Sequence, residues 1–392
     1  MHGPVAPPRR LYLDHHATTP CDARVVAAML PWFAEHFGNP HSAEHAMGRE
    51  AEAAVEEARA EVAALIGAEP REIVFTSGAT EANNLAIKGA ARFARAQGSP
   101  RMRIVTVATE HKCVLESVRD LAAEGFEPVI LPVGPDGLID PEAFAAAVDE
   151  RTLLVSVMAA NNEIGVVHDL AALVPIAKRA GALVHTDAAQ AAGKVPLAVE
   201  ALGVDLVSLS AHKMYGPKGV GALYVRRRPR VRLAPLFSGG GQERGLRSGT
   251  LPAPLIVGFG EAARIARAEM VEEAERLAAL RERLWSRLAA AIPGLRLNGH
   301  PSRRLAGNLN LTFPAARAAD LIARCPELCL STGSACSSAE IEPSYVLRAI
   351  GLSAEEAGRT LRIGLGRSTS PADIDHAAAA LIAAHEACAA AA

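Results

Sequence analysis

Short apolar runs alternate with longer stretches of helical spacing over the first two thirds of the chain. The runs that predict strands stand at 72–77, 103–108, 126–133, 152–158, 182–187 and 205–210. Segments that predict helices lie between several of them, at 79–96, 114–125, 141–150 and 170–181. Strands that alternate with helices in this way form a mostly parallel sheet, covered by helices on both faces. The pattern therefore predicts an α/β fold built on one large sheet.

The pattern changes after Pro252. Residues 255–292 form one long helical stretch in which charged positions lie largely opposite apolar ones, and shorter elements follow, such as the strand-like run at 308–313. We therefore expect a large domain over 16–252 and a smaller α+β domain over 253–392. We also expect residues 1–15 to join the smaller domain.

Composition excludes several classes of protein. The 392 residues are 50% hydrophobic and 21% charged, which favours a large folded core over disorder. A formal net charge of −2 argues against binding nucleic acid through bulk positive charge. No apolar run is long enough to span a membrane, and the basic N-terminus lacks the apolar stretch of a secretory signal. Six cysteines without a CxxC pair indicate a reducing compartment, so we expect a cytoplasmic protein.

Polar residues follow several of the predicted strands, where open α/β sheets bind their ligands. They are the turn 78–80, His111, the segment 161–165, Asp187 and Lys213. A turn of small residues at a helix N-terminus favours phosphate, and a lysine in an apolar crevice suits Schiff-base chemistry. Each residue alone can also be explained as a cap or a strand end, although a lysine in such a crevice is less easily explained in this way. Together they suit pyridoxal 5'-phosphate, which needs a lysine, a carboxylate and an anion site.

Longer motifs resemble the cysteine desulfurases of the NifS/IscS type, in the class V aminotransferase family. They occur in order along nearly the whole chain: YLDHHATTP (12–20), FGNPHS (37–42), FTSGATEANNLAIKG (75–89), TEHKCVLES (109–117), NNEIGVV (161–167), HTDAAQAAGKVP (185–196), SLSAHKMYGPKGVGALYVRR (208–227), GGGQERGLRSGTLP (239–252), STGSACSSAEIEPSYVLRAIGL (331–352) and LRIGLGR (361–367). This extent makes the resemblance far more specific than any single motif.

The resemblance implies a pyridoxal-phosphate-dependent transferase of fold type I. Such an enzyme converts L-cysteine to L-alanine, keeps the sulfur as a persulfide and supplies it for iron–sulfur cluster assembly. It also implies a homodimer whose protein partner is an iron–sulfur scaffold or another sulfur acceptor. From the charge and hydropathy above, we expect no membrane or nucleic acid to be involved.

The resemblance further implies roles for residues around the cofactor ring. Lys213 would bond covalently to the cofactor, and Asp187 would pair with the ring nitrogen. Gln190 would bond the phenolic oxygen of the ring, while His111 would lie over the ring and transfer protons.

Other residues would hold the phosphate and the substrate. The phosphate ligands implied within one subunit are Ala79, Thr80, Ser210 and His212. Thr250 would reach the phosphate of the partner subunit. Asn162 and Arg362 would bind the substrate carboxylate, for which a planar guanidinium is well suited.

Cys336 is the expected nucleophile. It lies in STGSACSS (331–338), whose small polar residues favour an exposed loop, whereas Cys325 and Cys329 stand among apolar residues. In the family the equivalent cysteine attacks the sulfur of the substrate, and the form of this segment resembles the long-loop type. We expect no intrinsic metal site, although Cys336 would be the residue to contact a nascent iron–sulfur cluster.

Some further patterns carry less weight. His41 and His45 are four residues apart in a predicted helix, but no third zinc ligand is evident and capping or packing explains them better. Cys325 and Cys329 have the same spacing, which predicts one helix face. The arginines of 226–232 predict a solvated turn, with docking of an acidic partner as the alternative. Only 30 residues follow Arg362, where housekeeping members often carry a longer tail, so the nitrogenase or housekeeping role stays open.

Two alternatives to a desulfurase remain at this point. A related enzyme, such as a selenocysteine lyase or another class V aminotransferase, would share most of the motifs, although a plain aminotransferase needs no thiol nucleophile. A non-catalytic scaffold could retain the fold, but Lys213, Asp187, His111 and Cys336 are all present.

Overall fold

The computed structural model describes residues 10–332 and 343–390. Its strands are β1 Leu11–Tyr12, β2 Ile73–Thr76, β3 Arg103–Val107, β4 Glu127–Leu131, β5 Thr152–Ser156, β6 Leu183–Asp187, β7 Leu206–Ser210, β8 Gly221–Val225, β9 Arg296–Leu297, β10 Asn308–Thr312, β11 Leu328–Cys329 and β12 Thr360–Gly364. Its helices are α1 Ala23–Met29, α2 Pro31–Ala34, α3 Ala46–Ile66, α4 Ala79–Ala96, α5 Lys112–Asp120, α6 Pro141–Ala147, α7 Leu170–Arg179, α8 Val199–Leu202, α9 Ala253–Ala291, α10 Ala318–Arg324, α11 Tyr345–Ala349, α12 Ala354–Gly358 and α13 Pro371–Ala389.

The large sheet has seven strands in the order β2-β8-β7-β6-β5-β3-β4. Neighbouring strands from β7 to β4 are parallel, while β8 is antiparallel to both β7 and β2. The predicted α/β fold with a mostly parallel sheet is therefore confirmed.

Helices cover both faces of this sheet, as the continuous apolar runs of the strands predict. Successive residues of a strand point to opposite faces, and the packing follows that alternation. In β3, Ile104 packs with one apolar cluster, which includes Leu85 of α4, and Val105 packs with the other, which includes Val62 of α3. In β7, Leu206 and Val207 divide between the clusters in the same way.

A smaller core lies around a three-stranded antiparallel sheet in the order β12-β10-β9. Leucines of the second half of α9 pack here against β10, β12 and α13. Leu13 belongs to this core, and β1 pairs in parallel with β11. The first described residues therefore lie with the elements at the far end of the chain.

The long helix α9 joins the two cores. Its first half contributes Ile256 and Phe259 to the core of the large sheet, whereas Leu284 and Leu288 of its second half lie in the smaller core. The domain boundary near residue 252 stays a prediction, because the helix that begins at Ala253 belongs to both cores.

Two local predictions are wrong. His41 and His45 precede α3 and do not share a helix; His45 caps α3, since its Nδ1 accepts the backbone N–H of Gly48 at 3.1 Å. Cys325 and Cys329 do not share a helix face either, because α10 ends before Cys325 and Cys329 lies in β11. For both pairs, the spacing of four residues predicted a shared helix, but the helix begins after His45 in one case and ends before Cys325 in the other.

Candidate active site

A cavity of about 500 Å³ opens at the carboxyl ends of the central strands. The residues that line it come from both ends of the described chain. Those predicted for the site that line it are Ala79, Thr80, His111, Asn162, Asp187, Gln190, Ser210, His212, Lys213 and Arg362. Residues separated by almost the whole sequence therefore meet at one edge of the large sheet.

One end of the cavity is suited to an anion. Helix α4 starts directly after Gly78, which has no side chain to cap the helix. The first backbone N–H groups of α4 are therefore left for a ligand in the cavity, and the positive end of the helix dipole lies at the same place. Strand β8 passes close by, because a Cβ on Gly221 would lie 2.7 Å from the Cα of Gly78. Only glycine fits there, and this close contact holds the turn against the sheet.

Lys213 lies in the short turn that follows β7. Its Nζ donates to the backbone oxygens of His16 at 2.8 Å and Ala17 at 2.7 Å. These contacts direct the amine into the cavity between the large sheet and the segment that follows β1. The neighbouring His212 is neutral near pH 7, because burial, aided by the charges of Lys213 and Lys218, lowers its pKa to about 4.

Asp187, the last residue of β6, is a buried carboxylate held in a fixed orientation. Its Oδ1 accepts the backbone N–H of Ala189 at 2.9 Å, and its Oδ2 accepts Nδ2 of Asn83 at 2.7 Å. The nearby Glu110 is completely buried, and burial together with the charge of Asp187 raises its pKa well above the ordinary value. Asp187 is thus the acidic residue that lines the cavity, whereas Glu110 is buried outside the lining.

His111 caps α5, and its ring orientation is fixed by Cys113. The backbone N–H of Cys113 donates to His111 Nδ1 at 3.2 Å, and the Cys113 thiol lies 3.0 Å from the same nitrogen. Because Nδ1 accepts, the proton of the neutral ring is on Nε2. Nδ2 of Asn83 also donates to the Cys113 sulfur at 3.1 Å, so one amide links His111 with Asp187.

Arg362 brings the smaller sheet to the same cavity. It lies in β12 and is 2% exposed. Its guanidinium donates to Asp14 Oδ1 at 2.8 Å and to the backbone oxygen of Asn162 at 3.1 Å. The side chain is therefore held on two sides, which suits a group that must orient a carboxylate in the cavity.

Comparisons with known proteins agree with this arrangement. The family model described as aminotransferase class-V matches residues 11–376. The chain belongs to the class-V aminotransferase family. It is 55% identical over 366 residues to a protein named cysteine desulfurase IscS from Anaeromyxobacter sp. (strain Fw109-5), which covers 93% of this chain and 90% of that protein.

Solved structures of this family show the same fold. A NifS-like protein superposes with a TM-score of 0.88 at 38% identity, over 96% of this chain and 99% of the other. A structure titled SspA in complex with cysteine superposes with a TM-score of 0.80, also at 38% identity, over 90% and 98% of the two chains. The fold type I prediction is confirmed by these class-V relatives.

Pyridoxal phosphate is the cofactor of this family, and the cavity has the groups that such a molecule needs. The anion end at α4 suits its phosphate, the Lys213 amine suits its aldehyde, and the Asp187 carboxylate suits its ring nitrogen. The three groups line one cavity, and Gln190 adds an amide from the turn after β6.

One predicted residue that the structure describes does not line the cavity in this subunit. Thr250 is exposed and lies three residues before the start of α9, and its role toward a partner subunit stays a prediction. Cys336 lies outside the described residues. No cluster of three or more potential metal ligands occurs within 10–332 and 343–390.

Sequence reasoning missed several residues at this site. Asn83 and Cys113 connect His111 with Asp187, and Lys194 contacts Gln190. All three lie inside motifs that were recognised as a whole, but motif identity does not reveal hydrogen bonds. Only the Lys194–Gln190 contact had a local signal in the sequence, because residues four apart can have neighbouring side chains.

Proposed function

We propose that this member of the class-V aminotransferase family is a pyridoxal-phosphate-dependent cysteine desulfurase. It converts L-cysteine to L-alanine, leaves the sulfur as a persulfide on Cys336 and supplies that sulfur for iron–sulfur cluster assembly in the cytoplasm. The observation that carries the proposal is the meeting of Lys213, Asp187, His111 and Arg362 at one cavity. The relative named cysteine desulfurase IscS, at 55% identity, supports it.

Each side chain then has a defined task. Arg362 and Asn162 bind the substrate carboxylate, which fixes the amino acid in the cavity. Asp187 holds a proton on the ring nitrogen of the cofactor, because a fixed buried carboxylate favours the positive charge there. When bound, the cofactor supplies an electron sink for the amino acid. His111, with its proton on Nε2, would be the residue that transfers protons to and from the bound substrate.

The flanks of the segment that contains Cys336 support its role as the nucleophile. Before the segment, Ser331 accepts the backbone N–H of Arg362 at 2.8 Å. After it, the hydroxyl of Ser344 donates to Glu163 Oε2 at 2.5 Å, next to Asn162. The described residues on either side of this segment therefore lie beside the two residues proposed to bind substrate.

The sulfur transfer is balanced without an external oxidant. The Cys336 thiolate forms an S–S bond with the substrate sulfur, and the Cβ–S bond of the substrate breaks. The electron pair of that bond stays on carbon, which gains a proton and becomes the methyl group of alanine. L-Cysteine and the enzyme thiol thus yield L-alanine and the enzyme persulfide.

We also propose a homodimer in which Thr250 reaches the phosphate in the partner subunit. Thr250 is exposed and lies outside its own cavity. The α1–α2 region presents large apolar side chains to solvent, with Leu30 62%, Phe33 59% and Phe37 67% exposed. Such a surface on a single subunit favours burial by another copy. The persulfide would pass to an iron–sulfur scaffold or another acceptor protein.

The test is incubation of the holoenzyme with L-cysteine and a dithiol reductant. We expect alanine and sulfide in equal amounts, over many turnovers. Pyruvate with no alanine would indicate elimination chemistry. Activity confined to L-selenocysteine would indicate a selenocysteine lyase, and amino transfer to a keto acid without sulfide would indicate an aminotransferase.

A further inference from the structure

A partly buried lysine that has no part in the function proposed above lies next to Gln190. Lys194 follows Gln190 by four residues in the turns after β6, and its Nζ donates to Gln190 Oε1 at 2.9 Å. It lines a separate cavity of about 30 Å³, which also includes His16 and Lys213. Gln190 and those same two residues line the larger cavity. Gln190 therefore connects Lys194 with the candidate active site.

The contacts of Gln190 determine which end of its amide faces each neighbour. Gln190 Nε2 donates to the backbone oxygen of His16 at 2.8 Å, and its Oε1 lies 3.3 Å from His16 Nδ1. An ammonium group can only donate, so a charged Lys194 requires the amide oxygen on its side. The amide nitrogen is thereby kept for His16 and for whatever occupies the larger cavity.

Tight packing brings Lys194 into this position. Gly193 has a φ of +72°, and a Cβ there would lie 3.0 Å from the Cβ of Ala266 in α9. Burial, together with the charge of Lys213, lowers the pKa of Lys194 to about 7. The other charged groups that act on it are Glu273 of α9 and Arg362 of β12. Placing a lysine here costs stability, which a role in packing alone would not require.

We propose that Lys194 is a positioning residue that holds the Gln190 amide with its N–H toward the phenolic oxygen of pyridoxal phosphate. Nε2 of Gln190 carries two hydrogens, of which His16 accepts one and the cofactor oxygen would accept the other. In its charged form, Lys194 also polarises the amide and places positive charge near Lys213. The inference rests on the proposed function, since it requires the cofactor.

The experiment compares Lys194→Met with Lys194→Arg in the purified holoenzyme without substrate. Two readouts are needed, the pH midpoint of the visible absorbance of the lysine-bound cofactor and the rate of cofactor release after dilution. For Lys194→Met we expect the midpoint to rise by about one pH unit, because loss of a nearby positive charge favours protonation. We expect release to be about tenfold faster, because a charge-assisted hydrogen bond is lost.

The other variants make the effect specific. Lys194→Arg should keep both the pH midpoint and the rate of cofactor release close to their wild-type values. Lys88→Met is the matched control: it removes a lysine that bonds Asp120 at 2.8 Å on the outside of α4, and it should behave as the wild type. In a Gln190→Leu background, Lys194→Met should add little to the rate of release, since the two residues would act through one contact.

Several outcomes would overturn the proposal. A folded Lys194→Met protein with unchanged midpoint and release would do so, as would full additivity with Gln190→Leu. If Lys194→Met does not fold, Lys194→Gln also removes the charge, and an unchanged midpoint in that variant would be equally decisive. Absence of a lysine-bound cofactor in the wild type would instead contradict the proposed function.

Discussion

Replacing Asp187 by asparagine tests the electrostatics of the candidate site with almost no change in shape. Both carboxylate oxygens of Asp187 accept hydrogen bonds, from the backbone of Ala189 at 2.9 Å and from Asn83 at 2.7 Å. An asparagine has one acceptor and one donor end. One of the two existing donors would therefore face the N–H group of the new asparagine. A flip of the Asn83 amide would avoid this clash, but it would also remove the hydrogen bond from Asn83 to the Cys113 sulfur.

The expected loss of rate follows from the charge. A carboxylate within hydrogen-bonding range raises the pKa of a protonated ring nitrogen by about 1–3 units, and an amide does not. Loss of one preorganised electrostatic contact at a reacting group lowers kcat about a hundredfold to a thousandfold. We expect a decrease in that range for Asp187→Asn, with the cofactor still bound through Lys213 and the phosphate site.

The assay is the steady-state release of alanine under saturating cysteine, with bound cofactor measured in the same samples. Asp205→Asn is a matched control, because Asp205 is also a buried aspartate that accepts a backbone N–H, from Val184 at 2.7 Å, but lies at the start of the neighbouring strand β7. It should retain activity in proportion to its folded fraction. A rate for Asp187→Asn within twofold of the wild type would refute the assigned role.

Two further predictions concern Lys213 and His185. Lys213→Ala should lack the visible absorbance of a lysine-bound cofactor and release no alanine; normal turnover would place the covalent link elsewhere. Burial lowers the pKa of His185 from 6.5 to about 3, so its contribution to stability is complete above pH 6.5 and is lost as the pH falls toward 3. The unfolding free energy should fall by about 1.4 kcal/mol per pH unit in that window from this residue alone. Urea unfolding near pH 7 and pH 5 should show a smaller loss for His185→Gln, and equal losses in both proteins would contradict the attribution.

The sequence predicted the central part of the fold because the strands are short, apolar and separated by helices. The strand at 183–187 and the helix at 79–96 lie where the pattern placed them, since few competing structures bury such runs. The same regularity made Asp187 and Lys213 visible as polar residues at strand ends. Where a side chain follows a buried strand, its position at the sheet edge is determined by local sequence.

Contacts between residues that are distant in the sequence could not be predicted from local patterns. Arg362 reaches the cavity from β12, and its partner Asp14 lies almost at the other end of the chain, so only the family resemblance indicated its role. Lys194 and Cys113 were not assigned roles, because burial and hydrogen bonding depend on how separate elements pack. His45 was placed in a helix that begins one residue later, which is the usual uncertainty at a helix end.

The central claim is that Cys336 receives the sulfur, and mass spectrometry of the cysteine-treated holoenzyme tests it most directly. Without reductant, the peptide that contains Cys336 should gain one sulfur atom in the wild type. The Cys336→Ser protein should still bind the cofactor, gain no sulfur and release little alanine, because a serine hydroxyl is a far weaker nucleophile toward sulfur than a thiolate. Sulfur on Cys113, which lines the candidate active-site cavity, or undiminished alanine release by Cys336→Ser would contradict the account.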